Sequence, residues 1–230
     1  MTHLVIGRGQ IGSAIAEVIS ADIRDVEPHD GNYDTLHICF PWTPAFADYV
    51  QGYVYDHGAY HVVVHSTVPV GTCDPRGWTH SPIRGRHPHL SEGVRTFTKH
   101  FGGPHARKAA EAFMTAGIKC KHHATAATTE AGKLWELAQF GVEVAMNKRI
   151  HNYCERNNLP FDEVYTVFGE AYNDGYRLLG EQRFIKPVLK YVPGGIGGHC
   201  ITQNSPMLGE QWVNDILAPH TGEGPAGGSA

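Results

Sequence analysis

The 230-residue sequence predicts an α/β protein in which a parallel sheet domain is followed by an all-helical domain. Up to about residue 123, short apolar runs alternate with helix-like stretches, an order typical of a parallel sheet with right-handed crossovers. Later segments instead carry apolar residues at helical spacing. We therefore expect domains at 1–123 and 124–218. The glycine-rich tail at 219–230 is expected to be disordered, because it cannot bury a core.

The elements of the first domain follow from these runs. Apolar and β-branched segments predict strands at residues 3–7, 21–25, 35–40, 61–65 and 77–81. Helix-like stretches lie at residues 11–20, 44–51 and 104–116. A crossover helix between successive strands places the helices on the faces of the sheet.

The second domain begins with one long helix, predicted from Thr128 to Asn157. Five residues share a face of this helix at helical spacing: Leu134, Leu137, Ala138, Gly141 and Ala145. This stripe predicts packing between two copies of the chain or within one copy. Two further helices are expected at 161–172, ending before Asp174 and Gly175, and at 206–217.

Composition excludes several classes of function. The net charge of −4 and the 18% charged fraction give no basic stripe for nucleic acid. No apolar run reaches the roughly 18 residues of a membrane span. The five cysteines are scattered and odd in number, which indicates reduced thiols in a cytoplasmic protein. The sixteen histidines show no spacing typical of a metal site, so none is expected.

The N-terminal glycines carry the first functional signal. Gly7, Gly9 and Gly12 form G-x-G-x-x-G directly after a predicted strand and at the start of a helix. In this context the glycines allow a tight turn, close approach of a pyrophosphate, and packing of the helix on the strand. The helix start supplies N–H donors to the phosphate. The first domain is therefore predicted to be a Rossmann-type domain that binds a dinucleotide.

An acidic residue is expected about 20 residues after the glycines, where it would bind the ribose hydroxyls. Asp25 follows Gly12 by 13 residues, so the first helix and second strand must be short, or the adenosine end is held differently. Asp22 is the alternative, and Asp25 is preferred because it lies at the predicted end of the strand. No pair of arginines follows, which favours NAD over NADP.

A second glycine-rich segment, Tyr191–Cys200, places four glycines in the five positions from Gly194 to Gly198. Such a run is entropically costly, and it is typical of backbone that turns sharply or approaches a ligand. Pro206 suits the first turn of a helix just after Cys200. A thiol near a helix start is favoured as thiolate, although a glycine-rich turn with an ordinary cysteine would give the same pattern.

Four motifs occur in the order found in the UDP-glucose/GDP-mannose 6-dehydrogenase family, and by them the chain resembles that family. They are the glycine turn, His65–Thr72 (HSTVPVGT), Thr129–Leu134 (TEAGKL) and Pro193–Ile201 (PGGIGGHCI). The resemblance covers residues 1 to about 215. It implies an NAD domain, a helical domain whose long helix forms the core of a homodimer, and oxidation of a nucleotide-sugar alcohol to a carboxylate. We expect a short, divergent member that lacks the family's C-terminal nucleotide-sugar domain.

The resemblance also implies roles for single residues. Cys200 would attack the aldehyde formed by the first oxidation, giving a thiohemiacetal and then a thioester. Lys133 would stabilise the oxyanion or transfer a proton, and Thr67 would lie beside the nicotinamide. The expected contacts of NAD are Gly7, Gly9, Gln10, Ile11, Gly12, Asp25, Pro41, Thr43, Ser66 and Thr67.

Three positions depart from the family. Leu137 stands where the family has Asn, Asn204 where it has Asp, and Ile83 where it has Glu. Losses of this kind remove acid–base capacity, typically worth roughly 10²–10⁴-fold each. The leading interpretation remains an NAD-dependent oxidoreductase that acts on a sugar alcohol. The alternatives are a catalytically silent homologue that binds NAD or a nucleotide sugar, and a single-step dehydrogenase of the related β-hydroxyacid group that uses Lys133 without Cys200.

Overall fold

A computed structural model describes residues 1–27, 30–196 and 199–220. The chain forms two compact units, the first ending at Leu134 and the second beginning at Trp135. The sequence placed the boundary ahead of the long helix, at 123/124. The start of that helix belongs with the first unit because buried Glu130 is hydrogen bonded to the backbone of Gly71 and Cys73. Most of the tail predicted to be disordered, from residue 221, lies outside the described residues.

The described part of the first unit contains a seven-stranded sheet, and the α/β fold is confirmed. Its strands are β1 His3–Ile6, β2 Asp22–Arg24, β3 Thr35–Ile38, β4 His61–Val64, β5 Thr79–His80, β6 Lys99–Gly102 and β7 Cys120–His123. Their order in the sheet is β2-β1-β3-β4-β5-β6-β7. Neighbouring strands are parallel except β5 and β6, which are antiparallel.

Helices flank this sheet and make up the second unit. The first unit contains α1 Gln10–Ile19, α2 Phe46–His57, α3 Leu90–Thr96 and α4 Ala106–Thr115. The long helix α5, Ala126–Arg156, continues into the second unit. It is followed there by a π-helical segment at Asp162–Val167, then α6 Phe168–Leu178, α7 His199–Asn204 and α8 Gln211–Leu217.

Several elements differ from the sequence-based expectation. Strands β6 and β7 and helix α3 were not predicted, because their sequences are polar or short. Helix α6 runs through Asp174 and Gly175 instead of ending there, since neither residue adopts a helix-ending conformation. Pro206 lies in a 3₁₀ turn between α7 and α8 rather than at the start of one helix.

The sheet buries apolar side chains on both faces, as a strand order with helical crossovers requires. Side chains alternate along β1, so Val5 faces one layer while Leu4 and Ile6 face the other. The first layer includes residues of α1, α3 and α4, and the second includes Phe46 and Val50 of α2. The carboxyl ends of β1, β3 and β4 are thereby held at one edge of the sheet.

A row of hydrogen-bonded polar side chains crosses this core. Nδ1 of His3 lies 3.1 Å from Nε2 of His37, and Nδ1 of His37 lies 3.0 Å from Nε2 of His65. Lys99 is the last residue of this row. Its Nζ is 3.3 Å from Nδ1 of His65 and donates to the carbonyl oxygen of Ser81 at 3.1 Å. Burial lowers the pKa of Lys99 to about 7 and holds the pKa values of His37 and His65 well below their usual range.

The predicted stripe of α5 is covered within the second unit. Ala138 and Ala145 belong to an apolar cluster with Ile201 and Leu217. Gly141 provides the closest approach, because a Cβ there would lie 2.8 Å from Cγ2 of Ile201. This part of the stripe therefore packs inside the chain, which is the second of the two possibilities left open by the sequence. None of the helices in the described ranges is long and apolar enough to cross a membrane.

Replacing Lys99 with methionine is expected to stabilise the fold by about 1–3 kcal/mol at neutral pH, because an apolar side chain replaces a desolvated amine. The pKa of this amine is about 7 in the folded protein, against 10.5 for an ordinary lysine in an unfolded chain. Between these values the unfolded chain binds more protons, so stability rises with pH across this window. Urea unfolding of Lys99→Met from neutral to alkaline pH should show a reduced slope.

The exposed Lys119 provides the matched control. Lys119→Met should keep both the stability and the pH slope of the parent protein. A Lys99→Met protein that is less stable at neutral pH and keeps the parent slope would contradict the assignment.

Candidate active site

The order of the strands creates a crevice at one edge of the sheet. From β1 the chain passes through α1 to β2 on one side, and then returns to β3 on the other side of β1. Ligands of open α/β sheets bind at such a switch point, outside the carboxyl ends of the strands. The turn formed by residues 7–9 follows β1 and lies at this point.

The three glycines of the turn meet different steric demands. Gly7 has φ +103°, and a Cβ there would lie 3.2 Å from the carbonyl carbon of Cys39 in the turn after β3. A Cβ at Gly12 would lie 1.8 Å from the carbonyl oxygen of Gly7, so Gly12 allows α1 to pack on the turn. Gly9 has φ −69°, and a Cβ added there would meet nothing within 4 Å. Neither conformation nor packing in the described residues requires glycine at position 9.

The two acidic candidates lie at opposite ends of β2. Asp25 follows the carboxyl end of the strand, is exposed, and accepts a hydrogen bond of 3.4 Å from the backbone N–H of Arg8 in the glycine turn. Asp22 begins the strand beside Leu4 and accepts a hydrogen bond of 2.7 Å from the hydroxyl of Tyr33. Asp25 is therefore the carboxylate on the crevice side.

The turns after β3 and β4 adjoin the glycine turn. The hydroxyl of buried Ser66 donates to the carbonyl oxygen of Phe40 at 2.5 Å, which links the two turns. Thr67 follows and is partly exposed, while Pro41 and Thr43 are exposed in the turn after β3. Gln10 and Ile11 open α1 beside the glycines, and Oε1 of Gln10 is hydrogen bonded to Nδ1 of His87. The structure thus brings the expected contacts of the dinucleotide to one edge.

Two carboxylates attach the start of α5 to the loop after β4. Glu130 is fully buried, and its two oxygens accept hydrogen bonds from the backbone N–H of Gly71 at 2.7 Å and of Cys73 at 2.9 Å. The carboxylate of Asp74 accepts bonds of 2.7 and 2.9 Å from the first backbone N–H groups of α5, which caps the helix. These contacts fix the turn of α5 that carries Lys133 against the loop that follows Thr67.

His80 is a site residue that the sequence pattern did not reveal. Its Nδ1 lies 2.9 Å from Oγ1 of Thr129 on α5, and its Nε2 lies 3.2 Å from the carbonyl oxygen of Ser66. Burial lowers the pKa of His80 to about 3, and the positive charges of Lys99 and Lys133 act in the same direction. A neutral imidazole therefore connects the loop after β4 with α5. A histidine at the end of the predicted strand 77–81 was the signal that could have identified it.

Cys200 is the exposed second residue of α7, in the second unit. Part of the glycine segment before it, residues 197–198, lies outside the described residues. The described part is held by α5: Nζ of buried Lys148 donates to the carbonyl oxygens of Val192 and Gly194, both at 2.7 Å. A cavity of about 410 Å³ beside this segment is lined largely by apolar residues, Phe140 and Ile201 among them.

Ile83, Leu137 and Asn204, where the sequence differs from the family that it resembles, differ in their surroundings. Ile83 is buried in the core layer that contains Leu90 and Val94. Leu137 is partly buried on α5, and Asn204 is the partly exposed last residue of α7. Isoleucine at position 83 is therefore part of the packing of the first unit.

Comparisons with known proteins show a likeness of fold. No family profile and no curated protein matches the chain in sequence. The solved UDP-D-ManNAc dehydrogenase of Pyrococcus horikoshii matches with a TM-score of 0.73 and 18% identity, over 96% of this chain and 69% of that one. The UDP-N-acetyl-mannosamine dehydrogenase Cap5O of Staphylococcus aureus matches with a TM-score of 0.70 and 16% identity, over 96% and 67%.

A shorter relative in fold is the 3-hydroxyisobutyrate dehydrogenase of Mycobacterium tuberculosis. It matches with a TM-score of 0.62 and 15% identity, over 97% of this chain and 89% of that one. At these identities the likeness to all three structures shows the Rossmann-type domain and the helical region that follows it, and function has to be argued from the site.

Alanine substitutions should distinguish Gly12, which the packing of α1 requires, from Gly9, which the described fold does not require. Gly12→Ala is expected to lower the free energy of unfolding by about 3 kcal/mol or more, because its methyl group meets backbone that cannot move aside. Gly9→Ala should change it by less than about 0.5 kcal/mol, because the position is open. Chemical denaturation of both variants measures the difference. Equal destabilisation would show that Gly9 is also required by the fold.

Proposed function

We propose that the protein is an NAD-dependent oxidoreductase that acts on an alcohol group of a small molecule. The observation that carries the proposal is Gly9, a glycine that the described fold does not require, at the switch point of the sheet. A glycine there leaves room for a pyrophosphate to approach the backbone. The likeness in fold to solved dehydrogenases supports the same conclusion.

The residues of the first unit fit a dinucleotide. The N–H groups at the start of α1 would bind the pyrophosphate, as helix starts do. The exposed carboxylate of Asp25 would accept hydrogen bonds from the ribose hydroxyls, and its charge would disfavour the 2′-phosphate of NADP. Ser66 and Thr67, with Pro41 and Thr43, would border the remainder of the cofactor. Bound in this way, the nicotinamide would accept a hydride from the alcohol carbon.

Lys133 is proposed to bind the oxygen of the reacting alcohol. Its ammonium group would stabilise the negative charge that develops on this oxygen as the proton leaves. The carboxylate of Glu130, one turn earlier on α5, holds this part of the helix in place. His80 is neutral because its pKa is about 3. It would hold Ser66 of the loop beside Thr129 of α5 and would not exchange a proton.

Cys200 is proposed to act when the product is a carboxylate. Its thiolate would add to the carbonyl carbon of the aldehyde to give a thiohemiacetal. Loss of a second hydride from this carbon, to a second molecule of NAD, and of the hydroxyl proton would give a thioester. Water would then cleave the carbon–sulfur bond, which releases the carboxylate and regenerates the thiol. A nucleotide sugar with a primary alcohol is the substrate class that this sequence of steps fits, and it is the class named in the solved structures of similar fold.

A second candidate is a single oxidation of a β-hydroxyacid, in which Lys133 acts and Cys200 does not. It is favoured by Ile83 and Asn204, which supply no carboxylate for hydrolysis of a thioester. The 3-hydroxyisobutyrate dehydrogenase of similar fold also matches over 89% of its length. A third candidate, a protein that binds NAD or a nucleotide sugar without turnover, shares the same cofactor site.

The proposal also includes a homodimer formed through the second unit. Several large apolar side chains of this unit are exposed, among them Phe168 at 74%, Leu178 at 90% and Leu179 at 74%. Because the described stripe of α5 is covered within the chain, these side chains of α6 and the residue after it are the better candidates for an interface. We propose that these side chains contribute to one apolar surface, which is typical of a protein–protein contact.

Calorimetry and absorbance at the NADH band test the cofactor and the reaction. The parent protein should bind NAD, and Gly9→Ala should weaken binding about tenfold or more with the fold intact. Panels of UDP-sugars, GDP-sugars and 3-hydroxyacids then identify the substrate. Absence of NAD binding in the parent protein would exclude both catalytic candidates and leave only a silent protein that binds a nucleotide sugar.

Two substitutions separate the candidates once a substrate is found. Lys133→Met should reduce kcat at least about a hundredfold in both catalytic candidates. Cys200→Ser should abolish formation of a carboxylate from a nucleotide sugar, whereas it should leave oxidation of a β-hydroxyacid intact. Cys154→Ser, at a buried cysteine away from α7 in sequence, is the matched control. NAD binding without turnover on any panel supports the silent homologue.

Sedimentation velocity at micromolar concentration tests the dimer. The parent protein should sediment as a dimer, and Phe168→Glu combined with Leu178→Glu should give a folded monomer, because charges are costly to bury in an interface. Tyr55→Glu, at an equally exposed aromatic side chain of the first unit, should leave the dimer intact. A monomeric parent protein would refute the proposed interface.

A further inference from the structure

A second cavity lies at the edge of the sheet opposite the crevice. Because β6 is antiparallel to β5, the carboxyl ends of β6 and β7 point away from the carboxyl ends of β1, β3 and β4. The cavity has a volume of about 460 Å³ and is lined by residues 103–108 and 122–124. Its volume lies within the range of pockets that bind small molecules.

The lining of this cavity is basic. It contains His105, Arg107, Lys108, His122 and His123, and neither Asp nor Glu. Lys108 is paired with Glu111 at 2.9 Å on the outer side of α4. Arg107 has no carboxylate at ion-pair distance within the described part of the chain, so its charge is available to a ligand. Because Glu111 compensates the charge of Lys108, the charge of Arg107 is the one that a bound anion would neutralise.

Two imidazoles in and beside the cavity have unsatisfied nitrogen atoms. Nε2 of His122 is buried and has no hydrogen-bond partner among the described residues. The same holds for Nδ1 of His61, whose ring centroid lies 5.2 Å from that of His105. Buried polar atoms in native proteins nearly always have a partner, so His122, which lines the cavity, retains hydrogen-bonding capacity for a ligand. His123 is oriented by a hydrogen bond of 2.9 Å between its Nε2 and Nδ1 of His100.

The floor of the cavity is fixed by backbone contacts. Gly103 has φ +122°, and a Cβ there would lie 2.9 Å from the carbonyl oxygen of Trp78. Its N–H donates to the carbonyl oxygen of His123 at 3.2 Å, and its own oxygen accepts from the N–H of Ala106 at 3.2 Å. The basic side chains are therefore presented from a rigid turn between two strand ends and the ten-residue helix α4.

We propose that this cavity binds a phosphate-bearing small molecule, at a site separate from the proposed active site. Arg107 would bind two phosphate oxygens with its planar guanidinium group, and the imidazole of His122 would donate an N–H to a third. The N–H groups in the first turn of α4 add a favourable dipole for the anion. A metal ion does not fit, because no three His, Cys, Asp or Glu side chains within the described ranges are arranged to hold one.

The probe is inorganic pyrophosphate, titrated into the full chain at constant ionic strength and followed by ¹H–¹⁵N NMR. Saturable shifts are expected at residues 103–108 and 122–124, with orthophosphate binding more weakly because it makes fewer charge-assisted contacts. Arg107→Ala should weaken binding about tenfold, and because Arg107 is exposed this variant should fold. His122→Asn should weaken binding as well.

Two controls make the result decisive. Arg95→Ala, at a basic residue of α3 paired with Glu17, should leave the dissociation constant unchanged. Gly9→Ala, which alters the proposed NAD site, should leave the shifts at 103–108 intact, so failure of the NAD site would not affect the outcome. Shifts confined to the glycine turn, no saturation, or an unchanged dissociation constant in Arg107→Ala would each overturn the proposal.

Discussion

The buried carboxylate of Glu130 holds the candidate site together. It joins the loop after β4 to α5 through two hydrogen bonds, to backbone groups 57 and 59 residues away in sequence. A buried carboxyl group is costly unless it is hydrogen bonded, so separating the loop from the helix would leave Glu130 without its partners. Asp74, which caps α5, and His80, which bonds to Thr129, add to the same attachment. The relative positions of Thr67 and Lys133 depend on this set of contacts.

Much of the fold could be predicted because local pattern and tertiary environment agree. The apolar runs at β1, β3 and β4 and the glycines after β1 describe a buried strand followed by a tight turn, and the structure contains both. Strand β6 could not be predicted in this way. Its residue Lys99 is buried in the core, a position that lysine rarely occupies, and contacts with His65 and with the carbonyl oxygens of Ser81 and Pro82 make it tolerable.

In the candidate site, too, the features set by local sequence could be predicted, and those set by distant contacts could not. Glycine spacing identified the turn. The predicted end of the strand favoured Asp25 over Asp22, and in the structure Asp22 pairs with Leu4 at the start of β2. Glu130 and His80 were missed as supporting residues because their importance lies in partners far along the chain. A glutamate in a helix is usually solvated, and nothing in the sequence shows that this one accepts two N–H groups. Sequence patterns therefore predict the backbone turns of a site more readily than the side chains that support them.

Ile83, at the position where the sequence resemblance implies a glutamate, is part of an apolar layer. Because Ile83 packs with Leu90 and Val94, a carboxylate placed there would lose its hydration inside an apolar layer. Ile83→Glu would therefore disturb the packing of the first unit. His80 cannot supply the missing proton transfer, since burial keeps it neutral. In the proposed reaction Lys133 must then stabilise the negative charge that develops on the substrate oxygen. The position of Lys133 depends on Glu130, one turn earlier in α5.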